Sequence, residues 1–270
     1  MTHATKLLIA AWAVTQAALP TAAQSSRNSS CRPGIVNVAN ERFHFNSTGS
    51  MSFDIGGQDE WYLSYLLEDA RPGFVRYDDW ATAQLLQSFI SVPESFIGSA
   101  RGNETNACLY IMRGLNKTSE VEPGDDASES CKGVLSDECI ERLQNFEGPT
   151  DGDCPNMTDI EEECGFAVSD SRAMNFSDAS CTMDELPHIN LPEGYRSYAT
   201  EFSGLLLPAD NDLESFEMYD LRVRQSIPFL ITTRDSEGTH AEILCMAPNN
   251  VTDGSREPEE LEFESTSGAQ

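Results

Sequence analysis

Four histidines, eight cysteines and 45 aspartates and glutamates are the side chains through which this 270-residue chain could bind a metal, move protons or form covalent links. His3 falls in an apolar leader, which leaves His44, His188 and His240. No two of these are four apart, as a zinc-binding helix requires, and no Gly-x-Ser-x-Gly elbow accompanies them. A catalytic triad can be drawn from distant positions because geometry defines it, but no spacing here points to one. Glycoside hydrolysis needs two carboxyl groups facing each other across a sugar. Among so many acids the residue type alone selects nothing. Glu60 beside Trp61, and Asp78 with Asp79 beside Trp80, come nearest, and both are better explained as acids neutralising the dipole at a helix start. Asp151 with Asp153 and Asp210 with Asp212 invite a calcium reading but lack the glycine and distal glutamate that complete a calcium loop. Gly56-Gly57 and the stretch 98–102 (GSARG) lack the spacing and lysine of a phosphate-binding loop. No catalytic, cofactor-binding or metal-ligating residue is assigned, and no cofactor is expected.

The cysteines carry a clearer chemistry. Cys31, Cys108, Cys131, Cys139, Cys154, Cys164, Cys181 and Cys245 all lie beyond the leader. An even count in that position reads as four disulfides, with 105 pairings open. Zinc would call for Cys-x-x-Cys or close Cys/His pairs, and the nearest two, Cys131 and Cys139, have seven residues between them. Asparagine in the N-glycosylation triplet occurs at Asn28, Asn46, Asn103, Asn116, Asn156, Asn175 and Asn250. Those sites are expected to face solvent, where attached glycans would be bulky and solubilising.

The ends of the chain agree with that compartment. Lys6 precedes an apolar run from Leu7 to Leu19, followed by Pro20 and small residues up to Ala23. This is the layout of a cleavable secretory signal, and the run is shorter than the roughly 20 residues a membrane-spanning helix needs. Residues 1–23 are read as signal, 24–250 as one disulfide-bonded extracellular domain, and 251–270 as a disordered acidic tail. No membrane anchor is expected. The net charge of −28 excludes nucleic acid as a partner, because phosphate binding requires clustered Lys and Arg.

The elements that would position these residues follow from local pattern. Residues 35–39 (IVNVA) and 50–55 (SMSFDI) read as strands. Glu60–Ala70 and Asp78–Val92 read as helices, the second with Trp80, Ala83, Leu86, Phe89 and Ile90 at spacings of three and four. Residues 108–115 (CLYIMRGL) form a short apolar run that suits a buried strand, and 116–130 an acidic loop. Ser136 before Asp137 and Glu138 caps a helix that turns Cys139 inward. From Tyr195 the pattern is strands, including 217–225 (EMYDLRVRQ) by alternation, and a hairpin turning at Asp235–Gly238. Cys108 and Cys245 lie in predicted strands that a disulfide could join.

The run CLYIMRGL, the acidic loop with its glycosylation triplet, and Cys131-Lys-Gly-Val-Leu-Ser-Asp-Glu-Cys139 resemble uncharacterised secreted cysteine-rich glycoproteins of filamentous ascomycete fungi, over roughly Cys108 to Cys181. The likeness implies secretion and a disulfide-bonded fold, and carries no activity to any residue. The expected architecture is α+β: an antiparallel sheet with two packed helices, and a disulfide-rich, loop-rich insertion, 131–181, wrapping its edge. The expected function is non-catalytic interaction at a cell surface or with a host, with an extracellular protein or glycan as partner and the oligomeric state open. The alternative is a secreted carboxylate-dependent hydrolase; a calcium-responsive matrix component is a third reading.

Overall fold

The structure, a computed structural model, describes residues 31–40, 44–57, 60–71, 82–113, 130–168, 171, 173–206 and 215–260, with backbone alone for 201–206. The predicted signal, the acidic loop at 116–129, Asp78, Asp79 and Trp80, and Asp210 with Asp212 lie outside these residues.

The described elements are, in chain order, α1 (Pro33–Ala39), β1 (Ser47–Phe53), β2 (Trp61–Ala70), β3 (Ala83–Pro93), α2 (Ala100–Glu104), β4 (Asn106–Arg113), α3 (Asp137–Gln144), α4 (Thr158–Cys164), β5 (Ala167–Val168), β6 (Met174–Asn175), β7 (Thr182–Met183), β8 (Tyr195–Leu206), α5 (Glu217–Arg224), β9 (Ile227–Asp235), β10 (Gly238–Met246) and β11 (Asn250–Val251). They form two antiparallel sheets. One runs β11-β1-β2-β3-β8-β7; the other runs β10-β9-β4-β5, with β6 pairing the start of β4. The chain is therefore mixed α+β, as its sequence led us to expect.

Strand alternation explains how the sheets stack. Trp61, Leu63, Tyr65 and Leu67 on β2 face Leu109 and Ile111 on β4 and Phe229 and Ile231 on β9 in the central core, with Tyr65 set edge-on against Phe229 at 5.3 Å. The intervening residues point outward. Leu66 and Phe89 meet Ile35, Val38 and Phe45 on the far side of the six-stranded sheet. Cys108, Tyr110, Leu230 and Cys245 meet Leu143, Met157 and Ile160 on the far side of the other. Both sheets are thus covered on both faces.

That double cover corrects two expectations. Glu60–Ala70 and Asp78–Val92 were read as helices, but Trp61–Ala70 is β2 and Ala83–Val92 belongs to β3. A strand buried on both faces carries a near-continuous apolar run, so the alternation that marks a strand vanishes and helical spacings arise by coincidence. Two other segments go the opposite way. Residues 35–39, expected as strand, lie in α1, whose first-turn Pro33 has its φ already suited to a helix. Residues 217–224 also look like a strand by alternation, yet they form α5, which buries Tyr219 and Val223, four apart, in the central core.

The insertion covers a sheet face as well as wrapping an edge. Residues 131–166 lie on the outer face of the five-stranded sheet, β5 and β6 pair along the β4 edge, and Cys181 belongs to the opposite side of the molecule. The acidic tail also begins with structure. Val251 pairs with Ser47 in β11, and Arg256 binds Asp220 on α5 and, at 2.7 Å, Glu259.

Candidate functional site

All eight cysteines are paired. Cys139–Cys164 links α3 to α4, Cys108–Cys154 links β4 to the loop between those helices, and Cys131–Cys245 links the start of the insertion to β10. Cys31–Cys181 joins the start of α1 to the residue before β7. The bridge suggested between Cys108 and Cys245 is absent: β9 lies between β4 and β10, and each cysteine points outward into the insertion instead. Ser136 caps α3 by accepting from Cys139 N at 3.2 Å and Cys139 is buried, as the capping pattern suggested. Ser130 Oγ accepts from Cys245 N at 2.9 Å, which fixes the insertion's entry against β10.

Five of the seven glycosylation triplets are described; Asn28 and Asn116 are not among the described residues. Asn103, Asn156, Asn175 and Asn250 are exposed. Asn46 is half-buried: its Oδ1 accepts from Asp69 N at 2.7 Å, and its Nδ2 donates to Ser255 Oγ at 3.3 Å. Asn156 Oδ1 accepts from both Thr158 N and Thr158 Oγ1, so the triplet's two ends are held together.

The histidines do not assemble a site. His44 is exposed, His188 is exposed with a left-handed φ of 59°, and the His240 ring packs on Gly56 of the β1–β2 turn, where a Cβ would stand 2.7 Å from it. No group of three His, Cys, Asp or Glu converges to hold a metal among the described residues. Asp151 and Asp153 flank a tight turn, closed by reciprocal Thr150–Asp153 backbone bonds of 2.9 Å. Glu60 is the partner of two tyrosines: Tyr62 Oη donates to its carboxylate at 2.7 Å and Tyr195 Oη to its carbonyl at 2.8 Å. The Tyr62 bond holds the Glu60 carboxyl below its ordinary value, while burial and Glu60 push Tyr62 up to about 12. A carboxylate so held accepts hydrogen bonds and is a poor proton donor.

The sequence drew no attention to Glu68, which is 5% exposed on the outer face of β2. Burial pushes its carboxyl up to about 7, against a bond from His44 N that lowers it and the neighbouring Asp69, which adds to the rise. Its Oε1 accepts from His44 N at 3.2 Å, and its Oε2 is buried without a hydrogen bond among the described residues. A carboxyl poised near neutral pH is the kind of group acid–base catalysis uses. Its neighbour Asp69 points to the opposite face of β2, where it accepts from Gln84 Nε2 at 2.6 Å and Arg71 Nε at 2.8 Å. Strand alternation thus separates the two acids, and no carboxylate pair forms there. The only forewarning was an acid inside an apolar run.

Glu68 lines neither of two concavities found among the described residues. One, of about 350 Å³, lies under the insertion between Tyr110, Pro155, Asn156, Glu161 and Ser171. Its polar groups are mutually engaged: Tyr110 Oη donates to Pro155 O at 2.9 Å, and Glu161 accepts from Val168 N at 2.6 Å. The other, of about 240 Å³, lies beside Cys181 between Arg32, Asn175, Asp178 and Tyr198. Tyr198 Oη donates to Asp178 O at 2.8 Å, and burial raises Tyr198 above its ordinary value. In the second, the Ser180 hydroxyl bonds the Asp178 carboxylate, and that bond holds the acid below its ordinary value, which makes it a weak base toward the hydroxyl. No helix among the described residues is long and apolar enough to cross a membrane. No family model, no curated protein and no solved structure matches the chain, so the reading of these residues rests on their own geometry.

Proposed function

We propose that the chain is a secreted, N-glycosylated fungal protein that acts by non-catalytic association with an extracellular protein or glycan. The observation that carries this reading is the use of all eight cysteines in disulfides, two of which fasten an outer layer to sheet strands while two tie outer segments to each other. Such bonds persist in oxidising compartments and are rare where thiols are kept reduced. The four exposed glycosylation triplets and the net charge of −28 are consistent with a solvated extracellular surface. The residues that could act as acids or bases are dispersed, buried singly or held in structural hydrogen bonds, which favours association over hydrolysis.

The test is mass spectrometry of the protein recovered from culture medium, non-reduced, with and without enzymatic removal of N-glycans. A mature N-terminus near Gln24, no free thiol and a large mass loss on deglycosylation are expected. An intact Met1 with free thiols and no glycan would overturn the reading.

A further inference from the structure

Three of the four sheet margins are formed by strands of two residues, β5 with β6, β7, and β11, and the fourth by the nine-residue β10. Two of these contain a triplet asparagine, Asn175 ending β6 and Asn250 opening β11. Each has a second one beside it. Asn103, just before β4, accepts through its carbonyl from Asn175 Nδ2 at 3.3 Å. Asn46, just before β1, accepts through its carbonyl from Thr252 N, two residues beyond Asn250, at 2.9 Å.

The two margins differ in what lies behind them. Along β4 every residue from Ala107 to Met112 is buried, so the strand has no open stretch. Along β1 the cover is short. β11 reaches only Ser47 and Thr48, and Ala247 O closes over Gly49, where a Cβ would stand 2.6 Å from it. Residues 50–53 have no strand on that side among the described residues. The strand reads STGSMSF, without a charge or a proline, which are the usual means by which an edge rejects a second strand.

We infer that N-linked glycans at Asn250 and Asn46 supply the missing protection, shielding the open β1 edge from pairing with a second copy of this chain. The inference rests on the glycosylated reading above. Asn250 is exposed and donates to Thr48 Oγ1 at 3.2 Å. A glycan replaces one of the two Nδ2 hydrogens, so the other can keep that bond while the sugar extends over the margin. A flexible glycan several residues wide excludes an incoming strand sterically, without the charge that edges otherwise use.

The experiment is light scattering over a concentration series on protein secreted from a glycosylating host, with site occupancy read by peptide mass spectrometry. Folded wild type treated with an endoglycosidase, and the Asn250→Gln variant, are compared with untreated wild type and with Asn175→Gln. The expected result is an occupied Asn250, a monomer for untreated wild type and Asn175→Gln, and a concentration-dependent rise in mass of about twofold or more for the other two. Adding Ser50→Lys, a charge on the open edge, to Asn250→Gln is expected to restore the monomer. An occupied Asn250 whose deglycosylated protein stays monomeric would overturn the shielding role, as would association that Ser50→Lys does not reverse. An unoccupied Asn250 in a monomeric protein would instead sink the glycosylated reading at this site, and the inference with it.

Discussion

Three disulfides hold the layer over the five-stranded sheet, whereas one disulfide and a closely seated helix hold the layer over the six-stranded sheet. The first layer is polar, with two short helices and many loops, and its buried apolar residues are interleaved with cysteines. It cannot bury enough surface to order itself, and covalent links offset the conformational entropy it loses. The second relies on Ile35, Val38, Phe45 and Leu186 packed on Leu66, Phe89 and Ala199. Its helix comes so near the sheet that a Cβ at Gly34 would stand 2.8 Å from Ala199 Cβ. Redundancy marks one side and close fit the other.

The strongest way to break this contrast is to remove the lone bridge of the second layer. Cys31→Ser with Cys181→Ser opens a loop of 150 residues, for which chain entropy gives a loss of about 5 kcal/mol in urea denaturation. Amide exchange across residues 33–39 should then become fast while the central strands stay protected. Removing one bridge of the first layer should do less. Cys139→Ser with Cys164→Ser opens a loop of 25 residues, worth about 3.5 kcal/mol by the same relation. Residues 137–144 should keep most of their protection, because the two other bridges still fasten the layer. Equal loss of protection in the two helices would remove the distinction.

Glu68, beneath the second layer, sharpens the contrast through pH. Its carboxyl rises from an ordinary 4.5 to about 7 on folding, so between those values the folded protein binds more protons than the unfolded chain. This group's contribution is complete below 4.5 and is lost as pH climbs to 7. The loss is on the order of 2 kcal/mol, and Glu68→Gln should flatten it, raising the urea midpoint at pH 8 more than at pH 4. The smallest effect belongs to Arg142→Ala. Its ion pair with Glu163 spans 3.4 Å between side chains that are each more than half exposed, across two helices already joined by Cys139–Cys164. Thermal unfolding should shift by less than about 0.5 kcal/mol.

What the sequence revealed depended on whether a local signal existed. The cap at Ser136, the turn at Asp235–Gly238 and the apolar run of β4 each carry their own mark, and all three are present. The two longest errors, at 60–70 and 83–92, arise because burial on both faces is decided by layers supplied from elsewhere in the chain, which erase alternation. The pairing of cysteines was illegible for the same reason, since Cys31 and Cys181 meet across 150 residues. The raised carboxyl of Glu68 follows from strand direction and from burial beside the His44 backbone, neither of which composition records.

The position of β4 in its sheet also bears on biosynthesis. Its partner β9 begins more than a hundred residues later, at Ile227, and Cys131 waits for Cys245. A chain made from its N-terminus can close Cys108–Cys154 and Cys139–Cys164 early, yet the central sandwich cannot shut until β9 and β10, residues 227–246, are available. Until then the inner faces of β2 and β3 lack the strands that cover them, which is apolar surface of the kind chaperones shelter.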